Sequence, residues 1–590
     1  MTVGQTLAVL HEVIGPRPRK ATRDHPVKMT SSFSAASALP ELTKRFLTRA
    51  LPLLLALTLG ALWFGALQSR YLANPDEGRY AEIAREMAVS GDWVTPRLNG
   101  FKYFEKPPLQ YWATAMAYRL FGEHEWTARL WTALTGVLSV LAIFYAGGRL
   151  FGREAGFYAA LVLLSSFLFI PAGHINTLDM GVTCFMTLGL TGFLLAQQRT
   201  VSTREARGWM HVTWASLGLS LLSKGLIGIV LPGAVLVIYS FLQRDVRLWT
   251  RLHLRSGIPL MLLIAAPWYV AVSLKNPEFA RFFFVHEHLE RFLTDAHGRS
   301  HPWWSYIPIV LVGALPWVGL LPGALARAWE RLEEENFQPR RFLVIWVAFI
   351  FLFFSVSHSK LPFYVLPIFP ALALLIGKRL TELSPRAIFW QIFPAAVLTI
   401  PALWLAARYE GLDSSSAPHA QYEAYSIWLV GAAAVLMIGT LFALYQSYSG
   451  HTRAAVIGLA ISSLIGVQIA MSDFDALSPA SSDYRIATRI QPFLRQGEPF
   501  YVVDTYRQSL PFYLKRTLTL VAYKGEFEFG IQQEPEKWLP DLAAFERVWQ
   551  TEPRALAIMK TDTLARLQQY GLPMRAIAEE GELVVVEKAR

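Results

Sequence analysis

Long apolar runs dominate the amino-acid sequence and alternate with short polar segments. A segment needs about 20 mostly apolar residues to cross a bilayer as a helix, and thirteen runs are compatible with that requirement. The pattern predicts an α-helical polytopic membrane protein with about 13 transmembrane helices between residues 46 and 471. The runs centre near Leu57, Leu138, Leu163, Leu188, Leu217, Leu236, Ile264, Val312, Ala348, Ile368, Leu398, Val435 and Ala460.

The two ends of the chain follow different patterns. Residues 1–45 are polar and basic and contain no apolar core followed by a small-residue cleavage site, so we expect a disordered tail rather than a signal peptide. In residues 472–590, short β-prone runs alternate with helical stretches, which predicts a small soluble α/β domain. The expected strands are 499–503, 517–521, 555–559 and 582–586, and the expected helices are 509–515, 541–549 and 563–570.

Positive charge in the connections predicts the orientation of the chain. Connections after even-numbered spans carry clusters such as Arg244, Arg247 and Arg251, whereas most short connections after odd-numbered spans carry few cations. Lys and Arg accumulate on the cytoplasmic side, so we expect the N-terminus inside and, after an odd number of spans, the C-terminal domain outside. Two long outer connections, 71–125 and 275–302, carry several cations against this trend, and we interpret these cations as anion-binding groups.

Composition supports the membrane assignment and narrows the partners. Of the 590 residues, 53% are hydrophobic and 17% are charged, below the roughly 25% charged residues of soluble domains. A net charge of +11 fits cationic loops that contact anionic lipid, so we expect membrane lipids and no nucleic acid as partners. The single cysteine, Cys184, lies in an apolar run and excludes an intramolecular disulfide.

The first outer connection begins with Asn74–Tyr80, which combines an acid pair, a cation and a phenol. A proline followed by two acids predicts a helix start, and Asp76, Arg79 and Tyr80 then share one stripe of that helix. We expect the helix to lie in the membrane interface, with its apolar side on lipid or on the bundle. The alternative interpretation of Asp76 is an N-cap without a chemical role.

A second polar cluster on this connection contains Tyr103, Glu105 and Lys106. The two prolines that follow restrict the backbone and fix the position of the lysine. The alternatives are a lysine that snorkels to the interface and a surface pair between Glu105 and Lys106. Since these charges share one connection with Asp76, we favour a site at the outer membrane surface.

Three further outer clusters are candidates for the same site. Asp179 starts an apolar run, where a carboxylate also suits a helix N-terminus, and Lys224 lies in a tight turn that is expected to face the same cavity. In the 275–302 connection, His286 and Arg291 are expected to face a phosphate. A metal held by His286 and Glu105 is the weaker alternative, because imidazole and carboxylate sites normally need three or more ligands. The turn at 357–364 adds Lys360 and Tyr364.

Together these residues resemble a known family. The matching motifs are Asn74–Tyr80, Phe104–Trp112, Arg129–Trp131, Leu178–Asp179 and Ser359–Tyr364. They are similar to motifs of the GT-C membrane glycosyltransferases and, more particularly, of the bacterial aminoarabinose transferases that modify lipid A. The resemblance implies a GT-C fold in the inner membrane, with residues 46–471 as the transferase domain and residues 472–590 in the periplasm. It also implies inverting transfer of a sugar, expected to be 4-amino-4-deoxy-L-arabinose, from undecaprenyl phosphate to a phosphate group of lipid A.

The resemblance also implies roles for single residues. Asp76 becomes the main catalytic carboxylate, Asp179 supports it, and Lys106 binds the carrier phosphate. From charge and hydrogen-bonding capacity we expect further substrate contacts from Arg79, Tyr80, Tyr103, Arg291, Lys360 and Tyr364. No cofactor is required, although a divalent metal on Glu105 and His286 stays open, and we expect a monomer.

Two other functions compete with lipid A modification. A protein O-mannosyltransferase would use a similar polyprenyl-linked donor, whereas a transporter of lipid-linked sugars would place ionisable groups near the membrane midplane. The polar clusters here gather at the outer ends of the spans, which favours transfer chemistry. A phosphate acceptor has its second pKa near ~6 and is already ionised, so we expect Asp76 to position and stabilise the reactants rather than to act as a base.

Overall fold

The computed structural model describes residues 41–290, 301–330, 337–357, 359–408, 419–472 and 481–589. Residues 1–40 of the expected basic tail lie outside these ranges, and the last five residues of that tail begin helix α1. The expected boundary at residue 471/472 adjoins residues 473–480, which are also outside the described ranges, so the boundary stays a prediction.

Helices make up most of the described chain. In chain order they are α1 Glu41–Gly65, α2 Asp76–Ser90, α3 Leu109–Phe121, α4 Glu125–Phe151, α5 Arg153–Leu164, α6 Phe169–His174, α7 Asp179–Ala196, α8 Thr203–Lys224, α9 Ile227–Gln243, α10 Leu254–Lys275, α11 Phe279–Arg281 continued by a π-helix Phe282–Glu290, α12 Tyr306–Gly313, α13 Leu321–Ala328, α14 Pro339–Val356, α15 Phe369–Glu382, α16 Pro385–Ala407, α17 His419–Tyr448, α18 Thr452–Ser472, α19 Tyr484–Ile490, α20 Leu510–Leu514, α21 Glu528–Gln533, α22 Leu542–Thr551 and α23 Thr561–Gln569.

The polytopic helical fold is confirmed, but the expected count of about 13 spans is not. Eight described helices are long and apolar enough to cross a membrane, or nine if the bent pair Trp303–Gly313 and Val318–Ala328 forms one span. Each expected centre lies in a helix, and Ile368 ends the 3-10 helix Pro362–Ile368 that precedes α15. Five expected spans account for the difference. The apolar part of α1 (Pro52–Gly65), α5 with 12 residues and α9 with 17 residues are too short, α8 begins with a polar, charged turn, and the run near Val312 lies in the bent pair.

The C-terminal part contains a six-stranded mixed sheet. Strands β1 Arg97–Leu98 and β2 Phe101–Lys102 form a separate hairpin in the first outer connection. The C-terminal sheet has the order β5-β4-β3-β6-β8-β7, in which β5, β4, β3 and β6 run parallel and β8 and β7 are antiparallel additions. Its strands are β3 Phe500–Val503, β4 Thr519–Val521, β5 Trp538–Leu539, β6 Leu556–Lys560, β7 Met574–Glu580 and β8 Leu583–Lys588. The four expected strands correspond to β3, β4, β6 and β8, which confirms the α/β prediction.

One face of this sheet shares a hydrophobic core with the first outer connection. Phe500 and Val502 belong to the same buried cluster as Ile83 and Met87 of α2, whereas Tyr501 and Val503 face a separate cluster under α22 and α23. This alternation is the two-residue period of a strand. The loops that follow the carboxyl ends of β3 and β4 are thereby placed against α2.

Most residues of helix α2 between Glu77 and Met87 are buried within the protein. The backbone of the C-terminal domain approaches so closely at Gly78 that an added Cβ would lie 2.4 Å from Ser509 N. Asn74 anchors the contact, since its Oδ1 accepts from Ser509 N at 2.8 Å and its Nδ2 donates to Asp483 at 2.8 Å. Of the two expected neighbours of its apolar side, lipid or the bundle, the structure shows protein: Ile83 and Met87 pack with Tyr111 of α3 and with the C-terminal sheet. The expected position of α2 in the membrane interface stays a prediction.

Candidate active site

A cavity of about 1090 Å³ lies where the connections 71–125 and 275–302, the start of α7, the end of α8 and the C-terminal domain meet. It brings together most of the residues that the sequence singles out: Asp76, Arg79, Tyr80, Glu105, Lys106, Asp179, Lys224, His286 and Tyr364. Tyr103 is buried outside the cavity lining. Lys360 is also buried away from the lining and donates to the Ser357 carbonyl. Arg291 lies outside the described residues.

Asp76 is the first residue of α2, but it is not the N-cap. The N-cap is Pro75, and no side chain caps this helix end, so the capping interpretation of Asp76 is wrong. Its Oδ1 instead pairs with Arg79 Nη1 at 3.0 Å, and 39% of the Asp76 side chain is exposed. Arg79 Nη2 also contacts Glu526 of the C-terminal domain at 3.4 Å. One guanidinium thus connects the predicted catalytic carboxylate to the second domain.

Glu77, the other member of the acid pair, points into the protein. Its carboxylate accepts from Arg129 at 2.7 and 2.9 Å, from Asn176 N at 2.9 Å and from Ala73 N at 3.1 Å. Burial by itself raises the pKa of Glu77, but Arg129, Arg70 and these hydrogen bonds outweigh it and lower the pKa to about 2. Glu77 is therefore a buried structural anion that joins α2 to α4.

A second acid pair lies further along α2, beneath the C-terminal domain. Arg85 binds Glu82 through two hydrogen bonds of 2.7 Å, which leaves Glu86 without a cation of its own. Glu86 accepts from Gly100 N at 2.9 Å. Burial and the adjacent Glu82 raise the pKa of Glu86 to about 8, so this carboxyl is mostly protonated at neutral pH.

Three phenols surround Arg79 on its protein side. Tyr80, Tyr103 and Tyr111 are buried, and burial together with nearby carboxylates raises their pKa well above the ordinary value. They are therefore neutral hydrogen-bond donors. The hydroxyls of Tyr103 and Tyr111 have no hydrogen-bond partner within the described part of the chain.

Asp179 and Lys224 form an ion pair on the membrane side of the cavity. Asp179 is the first residue of α7 and, like Asp76, makes no capping hydrogen bond. Lys224 ends α8, donates from Nζ to Asp179 Oδ1 and lies 4.6 Å from the centre of the Tyr364 ring. The expected orientation of Lys224 toward the cavity is observed, and its cation–π contact holds the pair against the 357–364 turn.

Lys106, in the 71–125 connection, forms an ion pair with the 275–302 connection. Its Nζ lies 3.3 Å from Glu287 Oε2 and donates to the Glu105 carbonyl at 2.9 Å. A parallel contact joins Lys102 to Glu278 at 2.7 Å. Lys106 is 17% exposed and lies on the cavity wall, so it does not snorkel freely to the interface.

The metal prediction stays a prediction. Glu105 and His286 line the same cavity, and the His286 ring stacks on Phe282 with 5.3 Å between centres. Within the described residues, no group of three or more His, Cys, Asp and Glu side chains has the arrangement of a metal site. The described donors thus provide fewer ligands than imidazole and carboxylate sites usually need.

Sequence reasoning missed the wall that the C-terminal domain contributes. Glu526 and Glu528 line the cavity, while Phe527 is buried and Phe529 packs on Phe282 with 4.0 Å between ring centres. The signal is the alternation of acidic and aromatic residues between Gly525 and Gly530. The sequence does not reveal that this segment lies near Asp76, because no short-range pattern links the two. Glu278 and Glu287 also line the cavity and were given no role, whereas Arg281 is one of the cations of the 275–302 connection that were expected to bind an anion, and it lines the cavity.

Comparisons with known proteins identify the family. A family model described as "Aminoarabinose transferase C-terminal domain" matches residues 486–588, and one described as "Dolichyl-phosphate-mannose-protein mannosyltransferase" matches residues 33–283. The undecaprenyl phosphate-alpha-4-amino-4-deoxy-L-arabinose arabinosyl transferase 2 of Proteus mirabilis is 32% identical over 504 residues, which cover 81% of this chain and 87% of that relative. The chain belongs to the aminoarabinose transferase family.

Two further relatives support this membership. The arabinosyl transferase of Erwinia tasmaniensis is 31% identical and aligns with 80% of this transferase and 85% of its own length. ArnT from Cupriavidus metallidurans, crystallised with undecaprenyl phosphate, is 38% identical and superimposes with a TM-score of 0.88 over 92% of this chain and 98% of that chain. This aminoarabinose transferase is a multi-pass glycosyltransferase of the inner membrane.

Proposed function

We propose that this transferase moves 4-amino-4-deoxy-L-arabinose from undecaprenyl phosphate to a phosphate group of lipid A at the periplasmic face. The observation that carries the proposal is the single cavity at the outer ends of the helices, which collects the Asp76–Arg79 pair, the Asp179–Lys224 pair and Lys106. The relatives named above support the donor. We also propose a cytoplasmic N-terminus, a periplasmic C-terminal domain and a monomeric enzyme.

Lys106 is the proposed binding group for the carrier phosphate. Departure of the carrier concentrates negative charge on its phosphate, so a fixed cation there stabilises the transition state. Lys106 is held by two prolines and by Glu287 at 3.3 Å, which keeps its ammonium group on the cavity wall. The carrier phosphate would compete with Glu287 for this ammonium. Arg291 stays the proposed second cation at this end.

Asp76 is proposed to stabilise positive charge on the sugar during transfer. Its contact with Arg79 fixes the orientation of the carboxylate, and a phosphate acceptor needs no base. The Asp179–Lys224 pair supports the opposite side, with Tyr364 packed on the lysine. Tyr80 contributes a neutral hydroxyl to the same wall.

The acceptor phosphate has a separate proposed partner in Arg281. This residue is exposed on the cavity wall and makes no ion pair with any residue in the described ranges. Arginine binds phosphate through two parallel hydrogen bonds. Lys360 and Tyr103 are proposed to act indirectly, since both are buried and neither lines the cavity.

The test uses the purified full-length enzyme, radiolabelled undecaprenyl phosphate aminoarabinose and lipid A. Label should move to lipid A with the wild type and with Glu536→Gln, an exposed acid outside the cavity. Asp76→Ala and Lys106→Ala should each lower transfer at least about 100-fold. If Asp76→Asn keeps full turnover, transfer does not require the carboxylate charge. If the wild type leaves lipid A unlabelled, the proposed function is contradicted.

Protein O-mannosyl transfer is the second candidate, because the mannosyltransferase family model matches residues 33–283. The same assay separates the two functions if a serine- and threonine-rich peptide and a polyprenyl phosphate mannose donor are offered as well. Mannosylated peptide without labelled lipid A would favour this alternative.

A further inference from the structure

Most charged residues of the cavity form ion pairs. Seven carboxylates line it, and six of them lie within 4.0 Å of a Lys or Arg nitrogen. The exception is Glu528, whose side chain makes no ion pair and no hydrogen bond with any residue that the structure describes. Among the described residues that line the cavity, Glu528 is thus the one carboxylate without a Lys or Arg nitrogen within 4.0 Å, and it comes from the C-terminal domain.

The position of Glu528 is fixed by its neighbours along the chain. Phe527 is buried against Phe101, with 5.7 Å between ring centres, and Phe529 packs on Phe282 at 4.0 Å. Close contact at Gly530, where an added Cβ would lie 2.8 Å from the Phe101 Cβ, seats the segment on the β1–β2 hairpin. Glu528 therefore stays at the cavity wall although its side chain is exposed.

An unpaired carboxylate in this place is suited to a cationic group on the substrate. The amine of an amino sugar is largely protonated at neutral pH and gains most from a carboxylate without a competing cation. Asp76 and Glu526 share Arg79, and Asp179 holds Lys224. An ammonium group placed beside any of these three acids would also meet a like charge.

We propose that Glu528 binds the C4 ammonium group of the donor sugar and makes the enzyme selective for an amino sugar. This proposal rests on the proposed function. The two family matches support the division of labour, because the Asp76, Lys106 and Asp179 machinery lies within residues 33–283, which a mannosyltransferase model also matches. Glu528 lies within residues 486–588, which match the model specific to aminoarabinose transferases.

The experiment compares two donors on the full-length enzyme in a detergent free of phosphatidylethanolamine. One donor is undecaprenyl phosphate 4-amino-4-deoxy-L-arabinose, and the other is undecaprenyl phosphate L-arabinose, which carries a hydroxyl at C4. For each donor, kcat/KM is measured with lipid A as the acceptor. The wild type should prefer the amino donor, and Glu528→Gln should reduce that preference about 10-fold to 100-fold, as expected for one charge-assisted hydrogen bond.

Glu536→Gln is the matched control, since it removes an exposed acid of the same domain away from the cavity. Its donor preference should equal that of the wild type.

An ammonium group is also present in phosphatidylethanolamine. If adding this lipid inhibits the wild type but not Glu528→Gln, while donor preference is unchanged by the substitution, Glu528 binds the headgroup and the proposal is overturned.

The assay distinguishes an incorrect role for Glu528 from an incorrect proposed function. If Glu528→Gln lowers transfer from both donors equally, or from neither, Glu528 does not select the amine, although the enzyme still modifies lipid A. If the wild type transfers neither sugar to lipid A, the proposed function itself is wrong, and the inference falls with it.

Discussion

Replacing Glu77 by glutamine separates the structural acid of the Asp76–Glu77 pair from the chemical one. The substitution keeps the size of the side chain but removes the charge that faces Arg129, whose side chain is fully buried. Asp76→Asn is the companion variant at the neighbouring position. We expect Glu77→Gln to lower stability and Asp76→Asn to lower transfer while leaving stability close to that of the wild type.

The expected loss at Glu77 is about 3 kcal/mol. Glu77 accepts two hydrogen bonds from Arg129 and two from backbone N–H groups, and removing one partner of a buried pair costs about 3–5 kcal/mol because the other charge stays buried. The pKa gives a second figure, since a fall from 4.5 to about 2 corresponds to about 3 kcal/mol at neutral pH. The two figures agree within their precision.

The assay is the free energy of unfolding in mixed micelles with increasing SDS, at neutral pH. Glu205→Gln is the matched control, because Glu205 also pairs with an arginine, Arg149, at 2.9 Å, but both side chains are more than one-third exposed. Exposed pairs contribute about 0–1 kcal/mol. Glu77→Gln should therefore lose at least about 2 kcal/mol more than Glu205→Gln.

The pH dependence of the same difference is a further check. Because the folded-state pKa of Glu77 is lowered, its contribution is fully present above the ordinary pKa of 4.5 and is lost as the pH falls toward about 2. The wild type and Glu77→Gln should thus converge in stability as the pH is lowered below 4.5. Equal stability of Glu77→Gln and Glu205→Gln at neutral pH would refute the assignment of Glu77 as a structural anion.

Three further predictions concern the domain contact and the cavity. Gly78→Ala should weaken docking of the C-terminal domain and lower the free energy of unfolding by about 1–3 kcal/mol, whereas Gly208→Ala, with nothing within 4 Å of the new Cβ, should be neutral or stabilising. The pKa of Glu86 is raised to about 8, so the wild type should lose stability relative to Glu86→Gln as the pH rises from 4.5 to about 8, measured by SDS unfolding at several pH values. Lys224→Met and Asp179→Asn should each lower kcat/KM, and the double variant should be less impaired than the product of the two effects; strictly additive losses would contradict a functional pair.

The sequence predicts the residues on the membrane side of the cavity because each of them lies in a short, continuous motif. Asp76, Lys106 and Asp179 each lie where an apolar run meets a short polar motif. A charged side chain is energetically unfavourable beside an apolar segment, so its presence there predicts a functional site. The pattern did not distinguish Asp76 from Glu77, since adjacent helix positions differ by about 100° in direction and either acid fits the first turn. Only the position of Arg129, one helix away, decides which acid turns inward.

The features that the sequence did not predict depend on tertiary contact. Glu526 and Glu528 lie more than 440 positions from Asp76 along the chain, and their approach follows from the packing of the C-terminal sheet on α2. The capping interpretation of Asp76 and Asp179 failed for a related reason. A carboxylate in a first turn can bond the helix backbone or a distant cation, and here Arg79 and Lys224 are within reach.

The way charge is distributed in the cavity separates groups that fix its shape from groups that are open to substrate. Seven carboxylates and four Lys or Arg side chains line it within the described residues, and ion pairs with these cations reduce the repulsion that the acids exert on two entering phosphates. Six of these acids lie within 4.0 Å of a cation, and five of them thereby support Arg79, Lys106 or Lys224, while Glu278 pairs with Lys102 outside the lining. Within the part of the chain that the structure describes, the two lining charges without an ion-pair partner are Arg281 and Glu528, of opposite sign and from different domains. An amino-sugar phosphate and a phosphate acceptor present the complementary charges, so docking of the C-terminal domain both closes the cavity and supplies its anionic recognition group.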